Sequence, residues 1–167
     1  MEVVNYLLGY KNLKIVQNTD MFNFSLDSVL LPNFVTLNKN TAKILDIGCG
    51  NAPIPLILST KTSAKIIGVE IQKDVYELAL KTVKMNDLEK QIEIINDDIN
   101  NIYTYFETES FDTVVCNPKL VKQFKDTLNK SKTDKLDCFK IARCYLNPIK
   151  LTFNPPYLSI NLISFVF

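Results

Sequence analysis

The stretch KILDIGCGN (43–51), with GVEI (68–71) a short way downstream, decides the fold of this chain. Ile44, Leu45 and Ile47 make Lys43–Ile47 a buried strand, and Gly48 and Gly50 turn the chain tightly at its end. Glycine has no Cβ, so such a turn can take positive φ and bring backbone close to a ligand. Glu70 stands twenty residues after Gly50, at the end of a second apolar run, Lys65–Glu70. A strand, a glycine turn and an acidic residue closing the next strand build a pocket for a nucleoside-containing cofactor.

The flanking segments extend the pattern. Asn51 is the candidate N-cap of a helix whose first turn accommodates Pro53 and Pro55. Lys73–Asn86 has helical spacing, with Val75, Leu78, Ala79, Thr82 and Val83 facing inward and Met85 at the margin of that face. Ile92–Ile95 and Phe111–Cys116 are a third and a fourth strand. Upstream, residues 1–26 form an irregular or hairpin-like lead-in. A helix then starts at Asp27, with Pro32 acceptable only in its first turn. Strands alternating with helices predict an α/β fold with a predominantly parallel sheet. Near-continuous apolar strands predict that helices cover both faces. Ligands in such sheets bind beyond the carboxyl ends of the strands. The polar residues at those ends are Asp46, Glu70, Asp98 and Asn117, from four separate strands, and they are expected to converge on one crevice.

A chain of 167 residues is long enough for one domain with a sizeable core. Its net charge of +1 provides no global field for nucleic acid. The charges are unevenly spread, however. Residues 1–118 carry a net −5, residues 119–150 a net +6, and residues 151–167 no charge at all. The basic stretch reads as a solvated face or as a phosphate-contacting patch. Four cysteines without a CxxC pair, and no histidine, exclude the common zinc frameworks, so no metal is expected. The cysteines read as buried or semi-buried free thiols, so a reducing cytoplasm is the expected location. No signal peptide is expected from MEVVNYLLGY, and the apolar tail LSINLISFVF (158–167) is too short to span a bilayer.

The cofactor follows from charge. A dinucleotide fingerprint needs a third glycine or alanine where this chain has Pro53, and its glycine turn holds a pyrophosphate. Here Asp46 stands beside that turn. A carboxylate repels pyrophosphate but attracts an ammonium or sulfonium group, and S-adenosylmethionine carries both. Glu70 can accept both ribose hydroxyls, and Asp98 can accept from an adenine amino group. An NAD-dependent enzyme is the disfavoured alternative.

Seven segments together carry a more specific likeness: FSLDSVLL (24–31), KILDIGCGN (43–51), IPLILS (54–59), GVEIQ (68–72), ELALKTVKMNDL (77–88), INDDI (95–99) and FDTVVCNP (111–118). Over roughly residues 6–118 the chain resembles the class I S-adenosylmethionine-dependent methyltransferases, and among them the bacterial tRNA1(Val) adenine-37 N(6)-methyltransferase family. The resemblance implies a Rossmann-like, seven-stranded fold, S-adenosylmethionine as methyl donor, and an adenine of a tRNA anticodon loop as acceptor. It implies that Asp46, Gly48 and Gly50 line the methionine end, Glu70 binds ribose, Ile71 flanks the adenine and Asp98 reaches its amine. Asn117 and Pro118 match the first half of the family's Asn-Pro-Pro-Tyr motif, with Asn117 also bordering the cofactor. In that motif the Asn oxygen and a Pro carbonyl accept from the target amine and the Tyr ring stacks on the base.

The pattern then departs. Lys119 and Leu120 stand where the second Pro and the Tyr belong. A literal NPPY occurs at Asn154, Pro155, Pro156 and Tyr157, after the strand-like PIKLTF, and is the alternative catalytic motif. IAR (141–143) is similar to a family element, and the likeness stops there. A complete domain of this type needs on the order of 230 residues. The C-terminal strands are therefore expected to be incomplete, in a truncated or frame-disrupted relative, with LSINLISFVF serving as one substitute strand. Three segments are expected: 1–40, lead-in and helix; 41–118, cofactor-binding core; 119–167, a divergent lysine-rich segment and apolar tail. The functional alternative is a non-catalytic remnant that binds only cofactor or a partner.

Overall fold

The computed structural model describes residues 1–21 and 24–117, together with the backbone of residues 163–166. A hairpin opens the chain. Strands β1 (Glu2–Leu7) and β2 (Tyr10–Asn18) pair antiparallel around Gly9, whose φ of 81° suits the reversal. Helix α1 (Leu26–Phe34) comes next, with Ser25 at its N-cap position and Asp27 in its first turn. Pro32 lies near the end of α1 and not in its first turn, which corrects the sequence expectation. So close to the end, the missing N–H removes one intrahelical bond and leaves the rest of the helix intact. Lys61 Nζ donates to the Pro32 carbonyl at 2.7 Å and to Asn33 Oδ1 at 2.7 Å, placing a cation at the helix C-terminus.

The central sheet runs β5-β4-β3-β6-β7. Strands β3 (Lys43–Ile47), β4 (Lys65–Val69), β5 (Ile92–Ile95) and β6 (Thr113–Cys116) are mutually parallel. Strand β7 (Ile163–Val166), from within the apolar tail, pairs antiparallel with β6, Thr113 opposite Val166. The tail thus does supply one strand beside β6. Helix α2 (Pro53–Ser59) links β3 to β4, and α3 (Lys73–Met85) links β4 to β5. A 3-10 helix (Ile99–Thr104) returns the chain across the sheet to β6. The strand order therefore reverses between β3 and β6, the switch point at which such sheets bind ligands.

The core has two layers. On one face Ile44, Ile66, Val115, Ile92 and Ile94 pack with α1, α2, α3 and the hairpin. On the other, Leu45, Ile67, Val69, Val114 and Phe111 pack with Ile102 of the 3-10 helix. Among the described residues the α-helices lie on one face and the 3-10 helix on the other. Leu78, Ala79, Thr82 and Val83 are buried as their spacing requires, whereas Met85 is 40% exposed at the last turn and does not face inward. The start of the sheet is pinned by Asp112, whose Oδ2 accepts from the N–H groups of Ala42 (2.8 Å) and Lys43 (2.9 Å).

Candidate cofactor site

The turn after β3 is built from three left-handed positions: Gly48 (φ 68°), Gly50 (φ 58°) and Ala52 (φ 70°). Gly48 and Cys49 donate to the Val69 carbonyl at 2.9 and 3.1 Å, fastening the turn to the end of β4. A Cβ on Gly48 or Gly50 would have no heavy atom of the described residues within 4 Å. The backbone there faces open space, the cradle a cofactor needs. Gly68 differs, because a Cβ there would sit 2.7 Å from Cys49 Sγ and 2.9 Å from Ile94 Cδ1. Its bare backbone lets the turn settle onto β4.

The helix cap differs from the sequence expectation. Ala52, not Asn51, occupies the N-cap position of α2, and Pro53 stands at the first helical position. Asn51 turns away and donates from Nδ2 to the Val16 carbonyl of β2 at 2.8 Å. The Val16 N–H in turn donates to Thr82 Oγ1 of α3 at 3.0 Å. The hairpin is thus clasped between the glycine turn and α3. No local sequence signal points to a bond between residues 35 positions apart.

Asp46, Glu70 and Asn117 come to the carboxyl ends of β3, β4 and β6, at 0%, 2% and 1% exposure. Glu70 accepts from Gly50 N through Oε2 (3.0 Å) and from Gln72 N through Oε1 (2.9 Å). Each oxygen keeps acceptor capacity for a hydroxyl. Burial raises the Glu70 pKa, and backbone N–H groups of Gln72, Gly50 and Ile71 partly offset that. Asn96 Nδ2 donates to the Glu70 and Ile71 carbonyls (2.8 and 3.2 Å), fixing the exit of β4. Ile71 is 46% exposed, an apolar side chain open at the strand end.

Asp46 is the outlier. Both carboxylate oxygens are buried without a hydrogen-bond partner among the described residues. Its pKa is held well above the ordinary carboxylate range, first by burial and second by the charge of Glu70. The Cys49 thiol is pushed up in the same way. Two acidic groups in one desolvated crevice, neither in an ion pair among the described residues, make a site that favours a cation. This donor set fits a cofactor bearing an ammonium or sulfonium group and does not suit a pyrophosphate.

Asp98 stands after the end of β5 but its carboxylate is engaged locally: Oδ1 accepts from Asn100 N (2.8 Å) and Asn100 Nδ2 (2.9 Å), capping the 3-10 helix. Asn117 comes directly after β6 and donates from Nδ2 to Ser28 Oγ of α1 at 3.3 Å. That tie, missed from sequence, joins residues 89 positions apart. Pro118 and the alternative motif Asn154–Tyr157 lie outside the described residues. Among the described residues no cluster of three or more His, Cys, Asp or Glu could hold a metal, and no helix is long and apolar enough to cross a membrane.

Comparison with known proteins agrees with this geometry. A family model described as a methyltransferase domain matches residues 38–157. A tRNA1(Val) (adenine(37)-N6)-methyltransferase of Flavobacterium psychrophilum is 29% identical over 113 residues, 67% of this chain and 48% of that protein. A U6 small nuclear RNA (adenine-(43)-N(6))-methyltransferase of Drosophila pseudoobscura pseudoobscura is 34% identical over 100 residues, 56% of this chain and 32% of that protein. The chain spans about half the length of the bacterial relatives it matches. The crystal structure of a putative S-adenosyl-L-methionine-dependent methyltransferase from Methanococcus maripaludis superposes with a TM-score of 0.55 at 21% identity, covering 72% of this chain and 50% of that one. This last likeness concerns the fold.

Proposed function

We propose that this chain, which belongs to the methyltransferase-domain family, transfers a methyl group from S-adenosylmethionine to the exocyclic amine of an adenine in RNA. The finer target is an adenine of a tRNA anticodon loop; the names of the bacterial relatives give adenine 37 of tRNA1(Val). The single observation that carries the cofactor is Asp46: a fully buried carboxylate without a partner among the described residues, beside an open glycine turn. Asp46 attracts the positive charge of the methionine end, Gly48 and Gly50 border it, and Glu70 accepts from the ribose hydroxyls. Ile71 lies along the adenine, and Asp98 accepts from its amine.

When bound, the cofactor supplies an electrophilic methyl carbon on a positively charged sulfur. The chain has to present a weak nucleophile to it. An adenine amine is weak because its lone pair is delocalised into the ring. Asn117 Oδ1 and the Pro118 carbonyl accept from its two N–H groups, orienting the nitrogen and favouring the positive charge that develops on it. That nitrogen would take the methyl group of the bound cofactor, which departs as a neutral thioether, and the surplus amine proton would pass to solvent. The lysine-rich stretch 119–150 would contact tRNA phosphates, and the chain would act in the cytoplasm. Residues 1–40, 41–118 and 119–167 would divide the work into support, cofactor binding and RNA contact.

A second function, cofactor binding without methyl transfer, is favoured by Lys119 and Leu120, which provide no ring to stack on a base. Loss of stacking costs about 1–3 kcal/mol per base. A methyl-transfer assay on unmodified tRNA, with Asn117→Ala and Asn154→Ala variants, separates the two. A large but measurable loss of transfer in Asn117→Ala supports catalysis at residue 117, and a large loss only in Asn154→Ala moves it to the later motif. No transfer by the unaltered chain leaves cofactor binding alone.

A further inference from the structure

We propose that Ser28 is a positioning residue for Asn117, anchoring its side-chain amide at the end of β6 where the target amine is to be met. This rests on the function proposed above for Asn117. The Ser28 hydroxyl lies on the buried face of α1, and Asn117 comes directly after β6. Both are 1% exposed, and Asn117 Nδ2 donates to Ser28 Oγ at 3.3 Å.

An amide has two unlike ends: Oδ1 accepts and Nδ2 donates. The torsion that interchanges them is broad and roughly two-fold, so the backbone alone does not select one. With Nδ2 turned to an amine, two donors would face each other and the nucleophile would lose its acceptor. Asn117 Nδ2 lies toward Ser28 Oγ of α1, and that bond restrains rotation of the amide. Burying a hydroxyl or an amide is costly unless it is hydrogen-bonded, and here each bonds the other. A helix drawn to the end of β6 by apolar packing alone would need no hydroxyl there. Val29, Leu31 and Pro32 already supply the packing of α1.

Two measurements on the full chain test this. In single-turnover methyl transfer to unmodified tRNA, Ser28→Ala should lower the rate constant about tenfold with cofactor affinity within twofold. Ser28→Thr, which keeps the hydroxyl, should retain more of the rate. In an Asn117→Ala background, Ser28→Ala should cause no further loss. An equal loss with and without Asn117 would overturn the proposal. The second measurement needs no turnover. With 15N-labelled asparagine, the Asn117 side-chain NH2 signals, identified by their disappearance in Asn117→Ala, should shift in Ser28→Ala while other asparagine signals hold. Unmoved signals would overturn the proposal whatever the activity. Shifted signals in a chain that transfers no methyl group would sink the proposed reaction and leave the Ser28–Asn117 coupling standing.

Discussion

Asp112 and Asp46 serve opposite ends of the same two strands. Asp112, at the amino end, is satisfied: its carboxylate accepts from two backbone N–H groups and locks β3 beside β6. Lys43 beside it lies over the rings of Phe106 and Phe111. Asp46, near the carboxyl end, is buried without a partner among the described residues, in a crevice shared with Glu70. Native proteins satisfy nearly all buried polar groups, so an orphaned carboxylate calls for a reason, and a bound cation supplies one. The contrast teaches that one end of this sheet holds the fold together while the other is held ready at the expense of stability.

The largest expected effect comes from Asp46→Asn. Removing the charge should weaken S-adenosylmethionine binding about 100-fold, because a charge-assisted contact in a desolvated site is lost. Calorimetric titration reads this directly, and an unchanged affinity would erase the contrast. Next is Asp112→Ala, which should cost about 2 kcal/mol of stability in urea unfolding while leaving cofactor affinity within threefold. A loss of affinity with no loss of stability would reverse the roles assigned to the two ends.

The third expectation concerns pH. The Asp46 and Glu70 carboxyls are raised above their ordinary values, so the folded, cofactor-free chain holds protons that the unfolded chain has released. Their contribution is fully present below about pH 4, the unfolded value, and is lost as pH rises through the raised values. Asp46→Asn should therefore flatten the fall in melting temperature toward pH 8 and stabilise the cofactor-free chain there by about 1–2 kcal/mol. A fall equally steep in the variant would assign the pH dependence elsewhere. The smallest effect belongs to Gly50→Ala. It should cost about 1–2 kcal/mol from the left-handed backbone alone, since no described atom stands in the way of the new Cβ.

The four parallel strands were legible because a strand buried on both faces is a short apolar run with no alternative period. Lys43–Ile47 and Ile92–Ile95 are read to the residue, and β4 and β6 each to within two. Glu70 was legible because the chain order of turn and strand places it. The features that escaped depend on distant partners or on local competition. Asn51 looks like a helix cap, yet the Val16 carbonyl claims it and Ala52 takes the left-handed position instead. Asp98 stands after β5 as expected, but the bonds that Asn100 makes to its Oδ1 carry no signal in the spacing. Pro32 is expected only in a first turn, yet it lies where the helix is about to end and its carbonyl meets Lys61. Ser28 carries no signal at all until β6 brings Asn117 to it.

The central claim is that the buried, unpartnered Asp46 makes this crevice a site for a positively charged nucleoside cofactor. Titrating the full chain calorimetrically with S-adenosylmethionine and with NAD, in parallel with Asp46→Asn, tests it most directly. Saturable binding of S-adenosylmethionine, none of NAD, and about a 100-fold loss in the variant is the predicted result. Binding of NAD in preference, or equal S-adenosylmethionine affinity in the variant, would contradict it.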